Sequence, residues 1–237
     1  MKIIAWNCQG AFRKKAELVM RYKPDLLIIS ECENIEKISE ECPFLKPSFV
    51  YWYGSNKHKG IGIFSFAKYK VELRTEFNPD FRYIIPLRVL AENKEINLFA
   101  IWAMDNKENH AARYIGQIWH ALNSYQDFLN GSTILAGDFN SNKIWDRKGR
   151  VGNHSDVVQN LANKDIHSAY HKHFSMEHGA EVQSTFYLYR MKSKQYHLDY
   201  CFLSSDLIAN LKSIEIGSFK KWISFSDHMP LIVDIDL

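Results

Sequence analysis

The chain has 237 residues, 46% of them hydrophobic and 24% charged, enough to bury one sizeable core, so residues 1–237 are expected to form a single domain. A net charge of +3 and a pI near 8.5 permit a polyanionic partner but exclude a tail-like nucleic-acid binder. Cys8, Cys32, Cys42 and Cys201 lack C-x-x-C spacing, which points to free thiols rather than a disulfide framework.

Lys2 to Trp6 reads as a buried strand ending at Asn7, with no signal-peptide core before it and no apolar run of membrane length in the chain, so the expected location is cytoplasmic. Phe12 to Tyr22 has the spacing of an amphipathic helix closed by Pro24. Asp25 to Ser30 is a second buried strand, and it too stops at a polar residue, Glu31. A short helix around Asn34 to Glu41 precedes strands at Ser48 to Tyr53 and Gly60 to Phe66, with Gly54 to Gly60 as the loop between them. Val71 to Phe77, Arg82 to Leu90 and Glu95 to Ala103 continue as strands, the last two joined by a turn at Glu92, Asn93 and Lys94. Asn109 to Leu129 is close to helical period.

Ser132 to Asn140 follows, an apolar run that ends in Gly137, Asp138, Phe139 and Asn140. Gly137 is expected to provide a sharp exit that turns Asp138 outward. Asp138 and Asn140 lie two apart and so share a side, placing a carboxylate that can orient water beside an amide that can donate to an oxyanion. A polar loop then leads to Asn153 and a helix from Ser155 to Asn163. His167, His171, His173 and His178 fall in an irregular segment with no nearby cysteine and no zinc-type spacing, which favours a polar loop bordering the site over a zinc site. Gln183 to Tyr189, His197 to Leu203, Ile214 to Ser218 and Pro230 to Ile235 look extended, with a short helix at Ser204 to Leu211. Helices interspersed with many strands imply an α/β fold, two mixed β-sheets packed face to face with helices outside.

Asn7, Glu31, Asp138 and Asn140 follow strand ends, whereas Asp199, Asp227 and His228 lie at or near strand starts. If the last strands run opposite to the first, all of these meet on one rim. Taken singly, each is also a reasonable turn residue. Together, Trp6-Asn7, Ser30-Glu31, Gly137 to Asn140, Leu198-Asp199-Tyr200 and Ser226-Asp227-His228 occur in the order and approximate spacing of a known group. Over essentially its whole length the chain resembles the endonuclease/exonuclease/phosphatase superfamily, whose fold is a four-layered α/β sandwich.

The resemblance implies a metal-dependent phosphoesterase. Glu31, helped by Asn7 and Asp227, would hold Mg²⁺, with Mn²⁺ as an alternative. Asp138 would align or deprotonate the attacking water, Asn140 and Asn7 would hold non-bridging oxygens, and His228, oriented by Asp199, would stabilise the transition state as imidazolium. Departures from the family fall at the substrate rim. Trp102 stands about where relatives place a Tyr or His, and an indole cannot serve as an acid. Glu33 replaces a lysine of the abasic-site enzymes, His197 replaces an arginine, and Gln9 replaces an acidic residue. Aromatic and basic residues interleave at Tyr51 to Lys59 and at Phe186 to Tyr196, a mixture that suits nucleic acid and equally suits a strand pair with a solvated loop. Phosphodiester hydrolysis in DNA or RNA is the first expectation. A phosphatase for inositol or sugar phosphates, a lipid-headgroup phosphodiesterase and a silent binding module are the alternatives.

Overall fold

The computed structural model describes residues 1–66, 69–92 and 94–237. In chain order its strands are β1 (Lys2–Asn7), β2 (Leu26–Cys32), β3 (Phe49–Asn56), β4 (Lys59–Ser65), β5 (Lys70–Leu73), β6 (Ile84–Ala91), β7 (Lys94–Trp102), β8 (Thr133–Asp138), β9 (Ile166–Ser168), β10 (Phe186–Tyr187), β11 (Gln195–Tyr196), β12 (Asp199–Ser204), β13 (Leu211–Ile216) and β14 (Leu231–Ile235). They form two six-stranded sheets, ordered β13-β14-β1-β2-β4-β3 and β5-β6-β7-β8-β12-β9, with β10 and β11 as a separate hairpin. Each sheet has one parallel pair at its centre, β1 with β2 and β7 with β8, flanked by antiparallel partners.

The layering follows from the period-two alternation of strand side chains. On β1, Ile3 and Ala5 face the second sheet and join Leu26, Ile28, Ala100, Trp102, Ile134 and Ala136 in the central core. Ile4 and Trp6 point the other way, where Phe12, Val19, Ile38 and Trp222 cover them. The outer face of the second sheet presents Phe99, Leu135, Tyr200 and Phe202 to Ile118, Leu122, Val157 and Leu161 on helices Ile115–Ser124 and His154–Ala162. Both faces of both sheets are therefore buried, giving four layers. Among the described residues no helix is long and apolar enough to cross a membrane, and all four cysteines are free.

Several elements depart from the sequence expectation. The span 12–22 is broken into a 3₁₀ turn at Phe12–Lys14 and a helix at Ala16–Met20, and 109–129 holds one α-helix flanked by 3₁₀ turns. Strand β5 stops at Leu73, and of 183–189 only Phe186 and Tyr187 pair, because Tyr189 and Arg190 take positive φ and turn the chain away. Strands β3 and β4 extend into the expected 54–60 loop. Ala91 pairs with Lys94, as expected of a hairpin, while Asn93 lies outside the described residues. The histidine-rich stretch is not a polar loop: it contains β9 and a helix at Ala169–Phe174, and His171 is buried.

Gly137 is not an exit from the strand either. It sits inside β8 with φ +143, and a Cβ there would lie 1.8 Å from the Ile101 carbonyl oxygen on β7. Glycine is needed for this close approach, and Asp138 is buried, not turned outward. Gly137→Ala is expected to cost roughly 3 kcal/mol or more, read as a lower urea midpoint.

On the far side of the sheet, burial raises the Asp206 carboxyl, but Lys94 Nζ at 2.7 Å, the Ser132 hydroxyl at 2.6 Å and the Ser204 hydroxyl outweigh it and bring the pKa down to about 2. A depressed folded-state pKa stabilises above the unfolded value of about 4 and ceases to do so as pH falls to the folded value. The side chain is 43% exposed, so screening limits the effect to about 1 kcal/mol. Urea unfolding of Asp206→Asn should show that deficit at pH 7 and almost none at pH 2.

Candidate active site

The antiparallel placement of β12 and β14 brings strand starts and strand ends to one edge. Asp199 faces Asp138 across the β8–β12 ladder, and Asn7 ends β1 beside Ser30 on β2. His228 precedes β14 and is fixed by its backbone: Trp6 Nε1 donates to its carbonyl at 2.9 Å, and its N–H donates to Ser226 Oγ at 3.0 Å. Ser226 in turn donates to the Asn7 carbonyl at 2.7 Å.

Asp138 is the hub. Its Oδ2 accepts from Asn7 Nδ2 and from Asn140 Nδ2, both at 3.0 Å, and its Oδ1 accepts from the Asn140 backbone N–H at 2.9 Å. Asn140 also donates to the Ala103 carbonyl at 2.9 Å. His228 Nδ1 lies 2.8 Å from Asp199 Oδ2, and its Nε2 lies 4.0 Å from Asp138 Oδ2. Burial raises the Asp138 carboxyl, with His228 opposing and Asp199 adding to the rise. Burial alone would lower His228, but Asp199 and Asp138 outweigh it and push the imidazole up to about 10. The two carboxyls thus favour the cationic form of the buried ring between them.

On the exposed side, Glu31 lies 3.4 Å from Asn7 Nδ2 and 3.1 Å from Lys59 Nζ. Asp227 accepts from Gln9 Nε2 at 2.9 Å, and Gln9 Oε1 accepts from Arg190 Nη2 at 2.5 Å. Burial and, more weakly, Glu31 raise the Asp227 carboxyl, while His228 lowers it. Gln9, Glu31 and Asn140 have φ of 54°, 58° and 47°, left-handed backbone of the kind that proteins hold at working sites.

Two acidic groupings have to be told apart. Asp138, Asp199 and His228 bring ligand atoms within 4.8 Å of one another, but Asp199 Oδ2 is engaged directly by His228 Nδ1 at 2.8 Å. Glu31 and Asp227 feel each other's charge, and their hard oxygens suit a Mg²⁺-class ion. Asn7 Oδ1 is engaged by the Gln9 N–H at 3.1 Å, which leaves the carboxylates as the better donors.

Of the expected rim residues, only Gln9 lies on the rim. Trp102 is 2% exposed, packed at a tilt against Tyr83 at 4.6 Å with Lys59 Nζ 5.6 Å from its ring centroid, so it forms floor rather than rim. His197 is also 2% exposed: its side chain packs against Tyr170, and Nδ1 contacts the Gln183 carbonyl at 2.8 Å. Glu33 is buried, its carboxylate accepting from the Phe12 and Arg13 backbone N–H groups and the Arg13 guanidinium, so it does not stand on the rim. Thr185 was missed in the sequence. Its hydroxyl accepts from the backbone N–H groups of Leu198 and Asp199 at 2.9 and 3.0 Å and so fixes the start of β12. Phe186, the first residue of the aromatic and basic stretch noted in the sequence, lies 4.6 Å from the His228 ring.

The model of the Endonuclease/Exonuclease/phosphatase family matches residues 4–228. A comparison with curated proteins finds no significant match. Among solved structures, an AP endonuclease from Archaeoglobus fulgidus superimposes with a TM-score of 0.71 at 18% identity over 100% of both chains. The 3'-5' exonuclease NExo from Neisseria meningitidis gives 0.74 at 17% over 100% of both. The endonuclease domain of TRAS1, a telomere-specific non-LTR retrotransposon, gives 0.64 at 16% over 100% of this chain and 98% of that one. At these identities the likeness establishes a shared fold.

Proposed function

The chain belongs to the endonuclease/exonuclease/phosphatase family, and from that premise we propose that it is a divalent-metal-dependent hydrolase acting on phosphodiester bonds of nucleic acid. The observation that carries the nucleic-acid reading is a cleft of about 410 Å³ opening from Asn140, lined by Tyr114, Trp145, Phe186 and Tyr196 together with Arg147 and Arg150. Aromatic faces beside guanidinium groups suit a base or sugar next to a phosphate. Trp145 is 46% exposed and packs 5.0 Å from Tyr196, so its ring is open to a ligand. Lys59 and Arg190 bring further positive charge to the same edge. A related fold, the 3' phosphatase NExo from Neisseria, has been solved bound to a product DNA hairpin, which supports the same reading.

Glu31 and Asp227, with Asn7 beside them, would hold the ion, which when bound supplies positive charge to the phosphate. Asp138, deprotonated, accepts a proton from the attacking water and fixes its direction. The amide N–H groups of Asn7 and Asn140, now on Asp138 Oδ2, are placed to donate to non-bridging oxygens. His228, cationic and held by Asp199, stabilises the charge that develops there. Trp102 takes no part in proton transfer, since its indole N–H is not an acid at working pH.

The test is Mg²⁺-dependent cleavage of a panel comprising supercoiled plasmid, single-stranded DNA, RNA, an abasic-site duplex, and inositol and sugar phosphates. Chain cleavage or shortening by the wild type, reduced at least a thousandfold in Glu31→Gln at fixed Mg²⁺, is the expected result. Phosphate release from the small esters alone would replace the nuclease reading with a phosphatase, and turnover equal in Glu31→Gln would remove the proposed metal ligand.

A further inference from the structure

A second polar cluster lies on the outer face of the β8–β12 sheet, apart from the residues assigned above. His154 begins the helix His154–Ala162, His171 lies on the helix Ala169–Phe174, and His178 and Glu181 come from the segment that follows. His171 Nε2 is 3.0 Å from Glu181 Oε1, and His154 Nε2 is 3.0 Å from His178 Nδ1. The His171 and His178 rings stack at 3.6 Å. One ligand atom from each of His171, His178 and Glu181 falls within a sphere where all lie within 4.8 Å of one another.

We propose that His171, His178 and Glu181, with His154 as fourth ligand, hold a zinc-class transition-metal ion that clamps the segments 141–154 and 171–185 onto the sheet.

Three observations carry this. The first is the donor set: imidazole nitrogens with one carboxylate suit Zn²⁺, whereas Mg²⁺ prefers oxygen alone. The second is the outer hydrogen bonding. Metal-bound histidine anchors its other ring nitrogen, and here His171 Nδ1 is 2.7 Å from Ser168 Oγ while His154 Nδ1 is 3.3 Å from Ser141 Oγ. In both rings the anchored atom is Nδ1, and Nε2 is the atom aimed into the cluster. The far oxygen of Glu181 is anchored as well, by Asn142 Nδ2 at 3.1 Å. The third is access. A cleft of about 420 Å³, lined in part by His171, Lys172, Met176 and His178, leads from the surface to the cluster.

Coordination would turn the stacked His171 and His178 rings apart about their side-chain torsions. The ion would act by positioning. Asn142 also donates to the His197 carbonyl at 3.1 Å, next to Leu198 and Asp199, and the clamped 171–185 segment ends at Thr185.

The proposal is independent of the nuclease reading, and its test does not need turnover. Whole protein, stripped with a chelator, loaded with Zn²⁺ and desalted, should retain one equivalent of zinc by mass spectrometry. Glu31→Gln should retain the same, whereas His178→Asn and Glu181→Gln should bind at least about tenfold more weakly. Zinc should raise the thermal midpoint of the wild type by about 5 °C and those of the two variants by less. Co²⁺ in the wild type should give the visible absorption of a four-coordinate site, a readout that requires no variant to fold. A wild type that neither retains zinc nor gives the Co²⁺ absorption overturns the proposal. So does zinc retention that survives His178→Asn and Glu181→Gln but is lost in Glu31→Gln.

Discussion

Asp138→Asn should reduce Mg²⁺-dependent phosphodiester cleavage by about a thousandfold or more, with no loss of thermal stability at pH 8. The rate loss has two sources. The amide cannot accept the proton of the attacking water, and it lacks the negative charge that fixes that water's direction, while its carbonyl oxygen can still accept from Asn7 and Asn140. The stability expectation comes from burial, which raises the Asp138 carboxyl. A carboxyl whose folded pKa lies above its unfolded value of about 4 loses stability as pH rises between the two, because ionising the buried group costs desolvation. Wild type therefore carries a penalty at pH 8 that the amide lacks, the usual cost of an activated group. The same shift places the acid limb of the wild-type rate profile above the ordinary carboxylate range, with activity rising as pH increases through it. Melting curves at pH 5 and 8 alongside single-turnover rates check both parts. A variant that melts well below wild type at pH 8 would mean that Asp138 is chiefly a structural hydrogen-bond acceptor.

The strand ends were the legible part of this site. Asn7, Glu31 and Asp138 each close an apolar run, and the antiparallel placement of β12 and β14 puts Asp199 and His228 beside them. What sequence could not give was the face on which a side chain lies when both faces are apolar. Trp102 falls at the expected chain position yet points into the packed layers, since strands buried on both sides carry no inside-outside alternation to read, and His197, in the connection between β11 and β12, is likewise buried. Glu33 failed for a related reason: a register shift between Ser30 and Cys32 reorients the residues that follow. Gly137 looked like a breaker because glycine usually is one, whereas the neighbouring Ile101 carbonyl is what excludes a side chain there. The histidine cluster is the clearest case of tertiary assembly. His154 and His171 are separated by a helix and a short strand, and no linear spacing rule joins them to Glu181.

Asp199→Asn should move the alkaline limb of the rate profile to lower pH and reduce cleavage by about a hundredfold or more at pH 9, with a smaller loss at pH 6. Burial works to lower His228, and Asp199 is the largest of the three carboxylate influences, ahead of Asp138 and Asp227, that raise it to about 10. Neutralising Asp199 leaves only Asp138 and the weaker Asp227 against burial, so the ring loses its proton at a pH where the wild type keeps it. Its Nδ1 would still face a side-chain amide, so the ring can remain in place while its charge is lost. The shift is also a stability effect. A folded pKa above the unfolded value of about 6.5 stabilises fully below that value and ceases to do so as pH rises through about 10. The melting deficit of Asp199→Asn should therefore be present at pH 6 and 8 and narrow above pH 10, unlike the deficit from a simple packing defect. His228→Gln separates the two ideas, because it removes the cation at every pH and should flatten that limb altogether. A profile for Asp199→Asn that is scaled down uniformly, with its alkaline limb unmoved, would show that Asp199 serves the geometry of β12 and not the charge of His228.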